Sequence, residues 1–383
     1  MKNAAKVVFL SNYFNHHQKP FSDAMFARLG DGYLFIETSS MSAERKALGW
    51  GMEQQPVYVV SKQLFRTMES HYRNLINEAE AVIIGSAPNE LVKERIKAGK
   101  LVFRYSERPL KKGFELWKYP YRFLKWHLMN PPGKKIYMLC ASAYTASDYA
   151  KFGLFRNRCY QWGYFPETKH YDDVDGLVAN KQRNNLVWVA RYIDWKHPEI
   201  AVEIARRLKA DGYAFSLDMI GNGAMLDEIA RMVKAEGLDD VVHIRGAMSP
   251  EEVRGYMEKA QIHIFTSDQK EGWGAVLNEA MNSACVPIAN VDIGSAPFLI
   301  EDGVNGFTYR NTDELYEKVK YLLENKNICE EMAHKAYQTI VDEWNAENAA
   351  NKLLTLSGKI LNGEKNLDAF VAGVCKRIKK TKR

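Results

Sequence analysis

Two glutamates separated by seven residues carry the clearest chemical signal in this sequence, in the segment Glu271-Gly-Trp-Gly-Ala-Val-Leu-Asn-Glu279. A helix beginning at Ala275 would point backbone N–H groups and its positive end at a phosphate. Gly272 and Gly274 would let the backbone come close to a sugar. Glu279 would accept hydrogen bonds from ribose hydroxyls, and Glu271 would face the sugar. The segment therefore suits a nucleotide-sugar, although a solvent-exposed loop with two surface acids fits it equally well.

Two cations follow the first apolar run of the C-terminal half, Leu186–Ala190. Arg191 comes directly after this predicted strand, and Lys196 lies in the same loop. Loops at the carboxyl ends of parallel strands are where ligands bind in α/β folds. Two cations there could hold a diphosphate and stabilise it as a leaving group. Taken by themselves, the two residues also fit a pair of exposed surface cations.

Short apolar runs alternate with helical segments along the chain, which predicts parallel sheets covered by helices on both faces. The C-terminal half has the regular β-α-β-α order of a doubly wound fold. The predicted strands are Lys6–Phe14, Tyr33–Glu37, Pro56–Val60, Ala81–Gly85, Leu101–Tyr105, Tyr137–Ala141 and Arg158–Gly163, then Leu186–Ala190, Phe215–Ile220, Val241–Arg245, Ile262–Ser267 and Cys285–Ala289.

The stretch 166–185 is rich in Asp, Asn and Gly and has no clear periodicity, which favours a linker. We therefore predict an N-terminal Rossmann-like domain over 1–165, a linker over 166–185 and a second Rossmann-like domain over 186–345. Residues 346–383 are predicted to form a helix that returns to the N-terminal domain, followed by a basic tail.

Composition narrows the class of protein. The 383 residues are 46% hydrophobic and 26% charged, which suits two α/β domains. Five scattered cysteines without a C-x-x-C pair indicate reduced thiols and no zinc site.

The last eight residues hold six basic ones and no acid, so they account for the whole net charge of +6. A neutral body argues against nucleic-acid binding. No apolar run suits a signal peptide or a membrane span, which predicts a cytoplasmic protein.

The order and spacing of five segments resembles glycosyltransferase family 4, a family of retaining enzymes with the GT-B fold. That resemblance covers roughly residues 186–310 and implies two doubly wound domains that face a central cleft. The segments are Arg191 to Lys196, Met219-Ile-Gly-Asn-Gly223, His243-Ile-Arg-Gly246, Glu271 to Glu279, and Glu301-Asp-Gly-Val-Asn-Gly306.

The resemblance assigns roles to individual residues. It implies that Arg191 and Lys196 bind the donor diphosphate and that Glu271 lies beside the transferred sugar; these three are the predicted catalytic residues. Glu279 is implied to bind the ribose. The wider set of predicted donor-binding residues comprises Gly221, Arg245, Gly272, Trp273, Gly274, Ala275, Val276, Leu277 and Glu279.

The N-terminal half carries a weaker resemblance. Its segment Phe9-Leu-Ser-Asn-Tyr-Phe-Asn-His-His-Gln18 is similar to the first strand and loop of polysaccharide-building members. The predicted acceptor-side residues are Asn15, His16, His17, Glu107 and Arg108. Three positions depart from the family pattern. The loop after the first strand lacks a Gly-Gly pair, Arg104-Tyr-Ser-Glu-Arg108 stands where many members have a His, and Phe298 replaces a common Glu.

These features predict a retaining, metal-independent transferase. It would move a hexose or N-acetylhexosamine from a nucleotide-sugar to a glycan or lipid-linked acceptor in cell-surface polysaccharide biosynthesis. The resemblance favours a UDP-sugar as the donor. With no evident covalent nucleophile, the resemblance implies front-face displacement through an oxocarbenium-like state. No cofactor is expected. Three alternatives remain: a GT-B sugar-nucleotide epimerase, a non-catalytic nucleotide-sugar-binding protein and a nicotinamide oxidoreductase.

Two other motifs match a metal site and a dinucleotide site only in part. Asp173-Val-Asp175 matches the D-x-D with which metal-dependent glycosyltransferases hold Mg²⁺ or Mn²⁺, but no apolar strand precedes it. Chance is the favoured explanation, so no metal site is predicted. Gly221-Asn-Gly223 begins a dinucleotide-binding motif, but Leu226 stands where the third glycine belongs.

A segment rich in basic and aromatic residues suggests that the protein contacts the inner face of an anionic membrane. Between Arg104 and Lys125 there are seven Lys or Arg residues and two acids, and aromatic residues interleave with them. Rings and cations together suit the headgroup region of a bilayer. Pro120 is expected to interrupt the helix, and packing of the aromatic residues inside the domain is the alternative.

Overall fold

The computed structural model describes residues 5–42 and 54–379. The chain divides into two compact units, the first formed by Met1–Glu167 with Asn345–Arg383 and the second by Thr168–Trp344. Each unit contains one parallel sheet with helices around it. The predicted α/β class and the parallel sheets are confirmed.

The sheet of the first unit has seven strands in the order β3-β2-β1-β4-β5-β6-β7. These are β1 Val7–Ser11, β2 Tyr33–Glu37, β3 Val59–Val60, β4 Ala81–Ile84, β5 Leu101–Ser106, β6 Ile136–Cys140 and β7 Cys159–Gln161. The helices are α1 Lys19–Leu29, α2 Lys62–Thr67, α3 Glu69–Glu78, α4 Lys93–Lys97, α5 Tyr119–Met129 and α6 Thr145–Ala150, with the C-terminal helix Ala346–Leu361.

Every residue of β1, β2, β4 and β6 is buried, as expected for parallel strands covered on both faces. Aromatic rings pack on one face, where the Phe9 and Phe35 centroids lie 5.0 Å apart. Pro120 marks the start of α5 and not a break inside it, since the α-helix begins at Tyr119 and a separate 3₁₀ turn over Leu116–Lys118 precedes it. It lies in the first turn of α5, where its missing N–H costs nothing.

The C-terminal helix packs against α1, where Arg28 Nη2 lies 2.6 Å from Glu347 Oε2. The residues after it add to the free edge of β7. Gln161 N donates to Lys376 O at 2.9 Å, and Ile378 N donates to Cys159 O at 2.8 Å. Residues 376–378 of the predicted basic tail are therefore attached to the sheet, and their backbone pairing covers its exposed edge. Residues 380–383 of that tail lie outside the described part of the chain.

The sheet of the second unit has six strands in the order β10-β9-β8-β11-β12-β13. These are β8 Asn185–Val189, β9 Ser216–Ile220, β10 Val242–Gly246, β11 Ile262–Phe265, β12 Val286–Asn290 and β13 Phe307–Tyr309. The helices are α7 Val174–Ala179, α8 Pro198–Ala210, α9 Leu226–Ala235, α10 Pro250–Lys259, α11 Val276–Asn282, α12 Ala296–Leu299, α13 Thr312–Glu324 and α14 Lys326–Gln338, which runs into a π-helical turn at Thr339–Glu343.

The predicted linker 166–185 is not a linker over most of its length, because residues from Thr168 onward belong to the second unit. It contains α7, whose first turn is capped by Asp173 Oδ1 accepting from Gly176 N at 2.7 Å. The buried Lys181 ammonium donates to four carbonyls, which include Ala260 O at 2.8 Å and Ser283 O at 2.9 Å. The polar residues that suggested a loop thus cap and anchor helices.

Candidate active site

The strand order of the second sheet reverses at β8, which lies between β9 and β11. Loops that leave the carboxyl ends of β8 and β11 therefore run to opposite sides and open a crevice, the usual ligand site of a doubly wound sheet. The loop after β8 carries Arg191 and Lys196, and the loop after β11 carries Glu271. The three residues predicted as catalytic are thus on the two loops of the switch point.

Two hydrogen bonds to backbone carbonyls connect these loops to each other. Thr266 Oγ1 donates to Lys196 O at 2.5 Å, and Asp268 N donates to Trp195 O at 3.0 Å. The Thr266 hydroxyl in turn accepts from Trp188 Nε1 at 2.8 Å, and both of these side chains are fully buried. The backbone of Lys196 is therefore held by a hydrogen-bond relay that starts in the core. Sequence reasoning missed Thr266, although a polar residue ending an apolar strand was a visible signal.

Replacement of Thr266 by Val tests this relay. We expect Thr266→Val to leave the Trp188 N–H unsatisfied and to lower the free energy of unfolding by about 1–3 kcal/mol. It should also lower kcat, because the backbone of Lys196 loses its anchor. The control is Trp188→Phe, which removes the buried N–H that donates to Thr266 but leaves the bond from Thr266 to Lys196. The control should therefore keep its kcat. Unchanged kcat in Thr266→Val, measured beside its chemical denaturation, would show that the relay does not position Lys196.

Lys196 and Glu271 form an ion pair in which the ammonium meets Oε2, and each side chain is only 11% exposed. Glu271 Oε2 also accepts from Ser267 Oγ at 3.1 Å. The ammonium lies 4.4 Å from the centroid of the Trp195 ring. These contacts fix the cation at the mouth of the crevice, where an incoming anion would share it with Glu271.

Arg191 differs from Lys196 in its surroundings. It is exposed, and its guanidinium carbon lies 5.8 Å from the centroid of the same Trp195 ring. A partly stacked, exposed guanidinium keeps its donors available for a bidentate contact with phosphate.

Gly221 holds the loop after β9 against the loop after β8. A Cβ there would lie 1.9 Å from Ala190 O, and φ is +142°. Only glycine fits, so this predicted donor-binding residue has a structural reason to be glycine: it sets the path of the chain into Arg191.

Gly274 has a similar role before α11. Its φ is +87°, and a Cβ would meet the Phe265 ring at 2.7 Å. Because the backbone at Gly274 passes so close to Phe265, α11 begins at Val276, only five residues after Glu271. Of the predicted donor-binding residues beside it, Gly272 is buried, and Ala275 and Val276 are partly buried.

Glu279 lies in the first turn of α11. Loss of solvation raises its pKa to about 7, partly offset by the positive charge of Arg254. A poorly solvated carboxylate at the start of a helix is suited to accept hydrogen bonds from the hydroxyl groups of a ligand.

Three of the predicted donor-binding side chains are engaged elsewhere. Trp273 and Leu277 are fully buried, and Trp273 Nε1 donates to Asn278 Oδ1 at 2.9 Å. Only their backbone could meet a donor. Arg245 Nε donates to the buried Asp218 at 2.7 Å, so its charge serves an ion pair at the sheet.

The acceptor-side prediction falls on the first unit, at the carboxyl ends of β1 and β5. Asn15 Oδ1 accepts from His17 N at 3.0 Å and shapes the turn before α1. The His16 and His17 rings lie 3.9 Å apart between centroids. Burial lowers the pKa of His16, and burial together with His16 lowers the pKa of His17 to about 3. Both imidazoles are therefore neutral near pH 7.

Glu107 joins this group through a residue that the sequence did not single out. Tyr164 Oη donates to Glu107 Oε1 at 2.6 Å, and the His17 ring is stacked 6.1 Å from the Tyr164 ring. Arg108 has a different partner, since its Nε lies 3.5 Å from the buried Asp148 carboxylate. That contact fixes the loop after β5.

Comparison with known families decides the class of the second unit. Residues 172–339 match the model for glycosyl transferases group 1. The chain therefore contains a group 1 glycosyltransferase domain. This domain includes β8, β11 and both loops of the switch point.

Relatives of this group 1 domain act in bacterial glycan synthesis by name. The chain is 27% identical over 172 residues to the poly(ribitol-phosphate) alpha-N-acetylglucosaminyltransferase of Staphylococcus aureus, which covers 44% of this chain and 34% of that protein. It is 30% identical over 134 residues to the amylovoran biosynthesis glycosyltransferase AmsK of Erwinia amylovora, which covers 34% and 33%. The chain thus matches about a third of the length of these curated relatives.

The fold extends further than the sequence match. The crystal structure of Alr3699/HepE of Anabaena in complex with UDP superposes with a TM-score of 0.68 at 16% identity, covering 92% of this chain and all of that one. This similarity confirms the predicted GT-B fold. Within residues 5–42 and 54–379, no helix is both long and apolar enough to span a bilayer.

Proposed function

We propose that this group 1 protein transfers a hexose or N-acetylhexosamine from a UDP-sugar to a glycan or lipid-linked acceptor in cell-surface polysaccharide biosynthesis. The observation that carries the proposal is the fastened pair of loops that brings Arg191, Lys196 and Glu271 to the switch point of the second sheet. The Anabaena structure holds UDP, and the bacterial relatives are named for poly(ribitol-phosphate) and for amylovoran biosynthesis, which supports this donor and this class of acceptor.

In the proposed reaction the donor diphosphate binds at Arg191 and Lys196, and its ribose hydroxyls donate to Glu279. The bond between the sugar's anomeric carbon and the diphosphate breaks, and the diphosphate leaves with the electron pair. Arg191 and Lys196 stabilise the charge that develops on it. The acceptor hydroxyl attacks from the face that the diphosphate leaves and passes its proton to a diphosphate oxygen, so the anomeric configuration is retained.

A panel of nucleotides tests the proposed donor. UDP is expected to raise the melting temperature more than GDP or ADP at equal concentration, since a ligand bound only by the native state stabilises it by mass action. An incubation with a UDP-sugar and no acceptor then separates a transferase from an epimerase, because an epimerase inverts one carbon of the donor's sugar without any acceptor. Melting temperatures that no nucleotide changes would overturn the proposal.

The chemistry is proposed to need no metal ion, since Arg191 and Lys196 supply the positive charge. Among the described residues, no group of three or more His, Cys, Asp or Glu side chains could hold a metal ion. We expect full activity after dialysis against EDTA, measured as transfer of labelled sugar. Asp173→Asn removes a carboxylate of the D-x-D motif but keeps the cap of α7, and it should be as active as the unmodified protein. Activity that EDTA abolishes and Mn²⁺ restores would contradict the mechanism.

A further inference from the structure

A group of large apolar side chains lies exposed on the first unit, on α5 and the turn before it. We call this the outer face; it consists of Leu116, Trp117, Tyr121, Leu124 and Leu128. Their exposed fractions are 76%, 76%, 66%, 61% and 72%. Isolated exposed apolar residues are common, but five within thirteen consecutive positions form a patch of the kind that marks an interaction site.

The outer face is not needed to attach α5 to its domain, because the opposite side of the helix does this. The Tyr119 ring is stacked 4.9 Å from the Phe152 ring, and the Trp126 ring lies 4.5 Å from it. Tyr121, Leu124 and Leu128 follow one another at helical spacing on the other side. The alternative of aromatic packing inside the domain thus holds for Tyr119 and Trp126 and fails for Trp117 and Tyr121.

Cations lie beside the outer face. Residues 111–125 contain five Lys or Arg residues and one acid, Glu115, which is paired with Lys118 at 2.6 Å and Arg122 at 3.1 Å. Lys118 Nζ lies 4.6 Å from the centroid of the Trp117 ring, and Lys125 Nζ lies 5.6 Å from that of Tyr121. Lys112 and Lys125 are exposed. The patch therefore combines a surplus of positive charge with amphipathic rings beside its aliphatic side chains.

We propose that the outer face docks onto an anionic lipid bilayer. Trp and Tyr rings favour the headgroup layer, Leu side chains enter the acyl boundary, and lysines meet anionic headgroups. A protein partner or a second copy of this chain would also bury the leucines, but a second copy would bring the same surplus of positive charge. The pairing of lysines with Trp117 and Tyr121 matches the anionic headgroup layer of a bilayer. The docking needs no catalytic residue, so it can hold or fail separately from the proposed transfer reaction.

Co-sedimentation with vesicles tests the docking. The full chain is expected to pellet with vesicles of phosphatidylcholine and phosphatidylglycerol at low salt, and less at high salt or with phosphatidylcholine alone. The triple variant Trp117→Ser, Leu124→Ser, Leu128→Ser should lose at least about tenfold in partition coefficient. The double variant Lys112→Glu, Lys125→Glu should lose binding to the anionic vesicles.

Two controls match these variants in exposure. Val57→Ser with Val371→Ser removes two exposed apolar side chains elsewhere on the first unit, and Lys93→Glu with Lys97→Glu reverses two exposed lysines. Both should bind vesicles as the unmodified protein does. UDP-induced thermal stabilisation is measured for every variant, so loss of fold is distinguished from loss of docking. Protein that stays in the supernatant at low salt, or a triple variant that pellets normally, overturns the proposal. So does self-association that the triple variant abolishes while vesicle binding is absent.

Discussion

Arg191→Ala is expected to lower kcat/KM by about 10²–10³-fold, a loss of roughly 2–4 kcal/mol of transition-state stabilisation. The reason is its place on the loop after β8, exposed beside Trp195 and on the same loop as Lys196. Negative charge on the diphosphate grows as the bond to the sugar breaks, so a guanidinium aimed at it helps the transition state more than the bound donor. The effect should therefore fall mainly on kcat.

Steady-state kinetics with a UDP-sugar measure this prediction, and Arg183→Ala is the matched control. Arg183 is also exposed but precedes β8, at the opposite end of the same strand. The control should keep the kinetics of the unmodified protein. A near-normal turnover in Arg191→Ala would count decisively against the diphosphate site at the switch point.

Glu279→Gln is expected to have two opposite effects. The folded protein holds the pKa of Glu279 near 7, above the ordinary 4.5, so ionisation of this carboxyl destabilises the native state. The neutral carboxyl therefore favours the folded state, and this stabilisation of the unmodified protein is lost as pH rises from about 4.5 to about 7. Gln cannot ionise, so above pH 7 the variant should be the more stable by about 1–3 kcal/mol. Near pH 4.5 the two should be equal.

Donor binding should change in the other direction, because an ionised carboxylate accepts two hydroxyl hydrogen bonds better than an amide does. The ratio of UDP affinities, unmodified protein over Glu279→Gln, should rise between pH 6 and pH 8. Chemical denaturation and calorimetric titration at several pH values give both quantities. Glu251→Gln, an exposed glutamate on α10, should change neither. A variant that binds UDP like the unmodified protein at pH 8 would remove Glu279 from the ribose site.

Twelve of the strands and their order of appearance were predictable because parallel strands are buried on both faces, whereas the short, half-buried β13 was not predicted. The run Ala81–Gly85, for example, is apolar without alternation, and the structure places β4 within it. Strand length was less predictable. Lys6–Phe14 was predicted as one strand, but β1 ends at Ser11 and the Asn15 turn follows.

The loops of the candidate site were also predictable, because the residues that follow strands can be identified from sequence alone. The contacts that shape these loops were not. Gly221 must be glycine because Ala190 O, in the residue that follows the neighbouring strand β8, occupies the space of a Cβ. Arg245 meets Asp218 only because β10 and β9 are neighbours in the sheet. Such pairings depend on strand order, which the local sequence does not contain.

Polar composition was the misleading signal at 166–185. Asp173 and Lys181 looked like loop residues, yet one caps α7 and the other binds carbonyls at the ends of α10 and α11. A helix of six residues is too short for apolar periodicity to show. The buried Trp273 and Leu277 were equally hidden, since a motif gives the position of a side chain in the sequence and not the direction in which it points.

A crystal structure of the protein with UDP tests the central claim most directly. The account predicts diphosphate oxygens within hydrogen-bond distance of the Arg191 guanidinium and of Lys196 Nζ, ribose hydroxyls on the Glu279 carboxylate, and no metal ion between protein and phosphate. Diphosphate bound away from the loops after β8 and β11, or held through a metal ion, would contradict it.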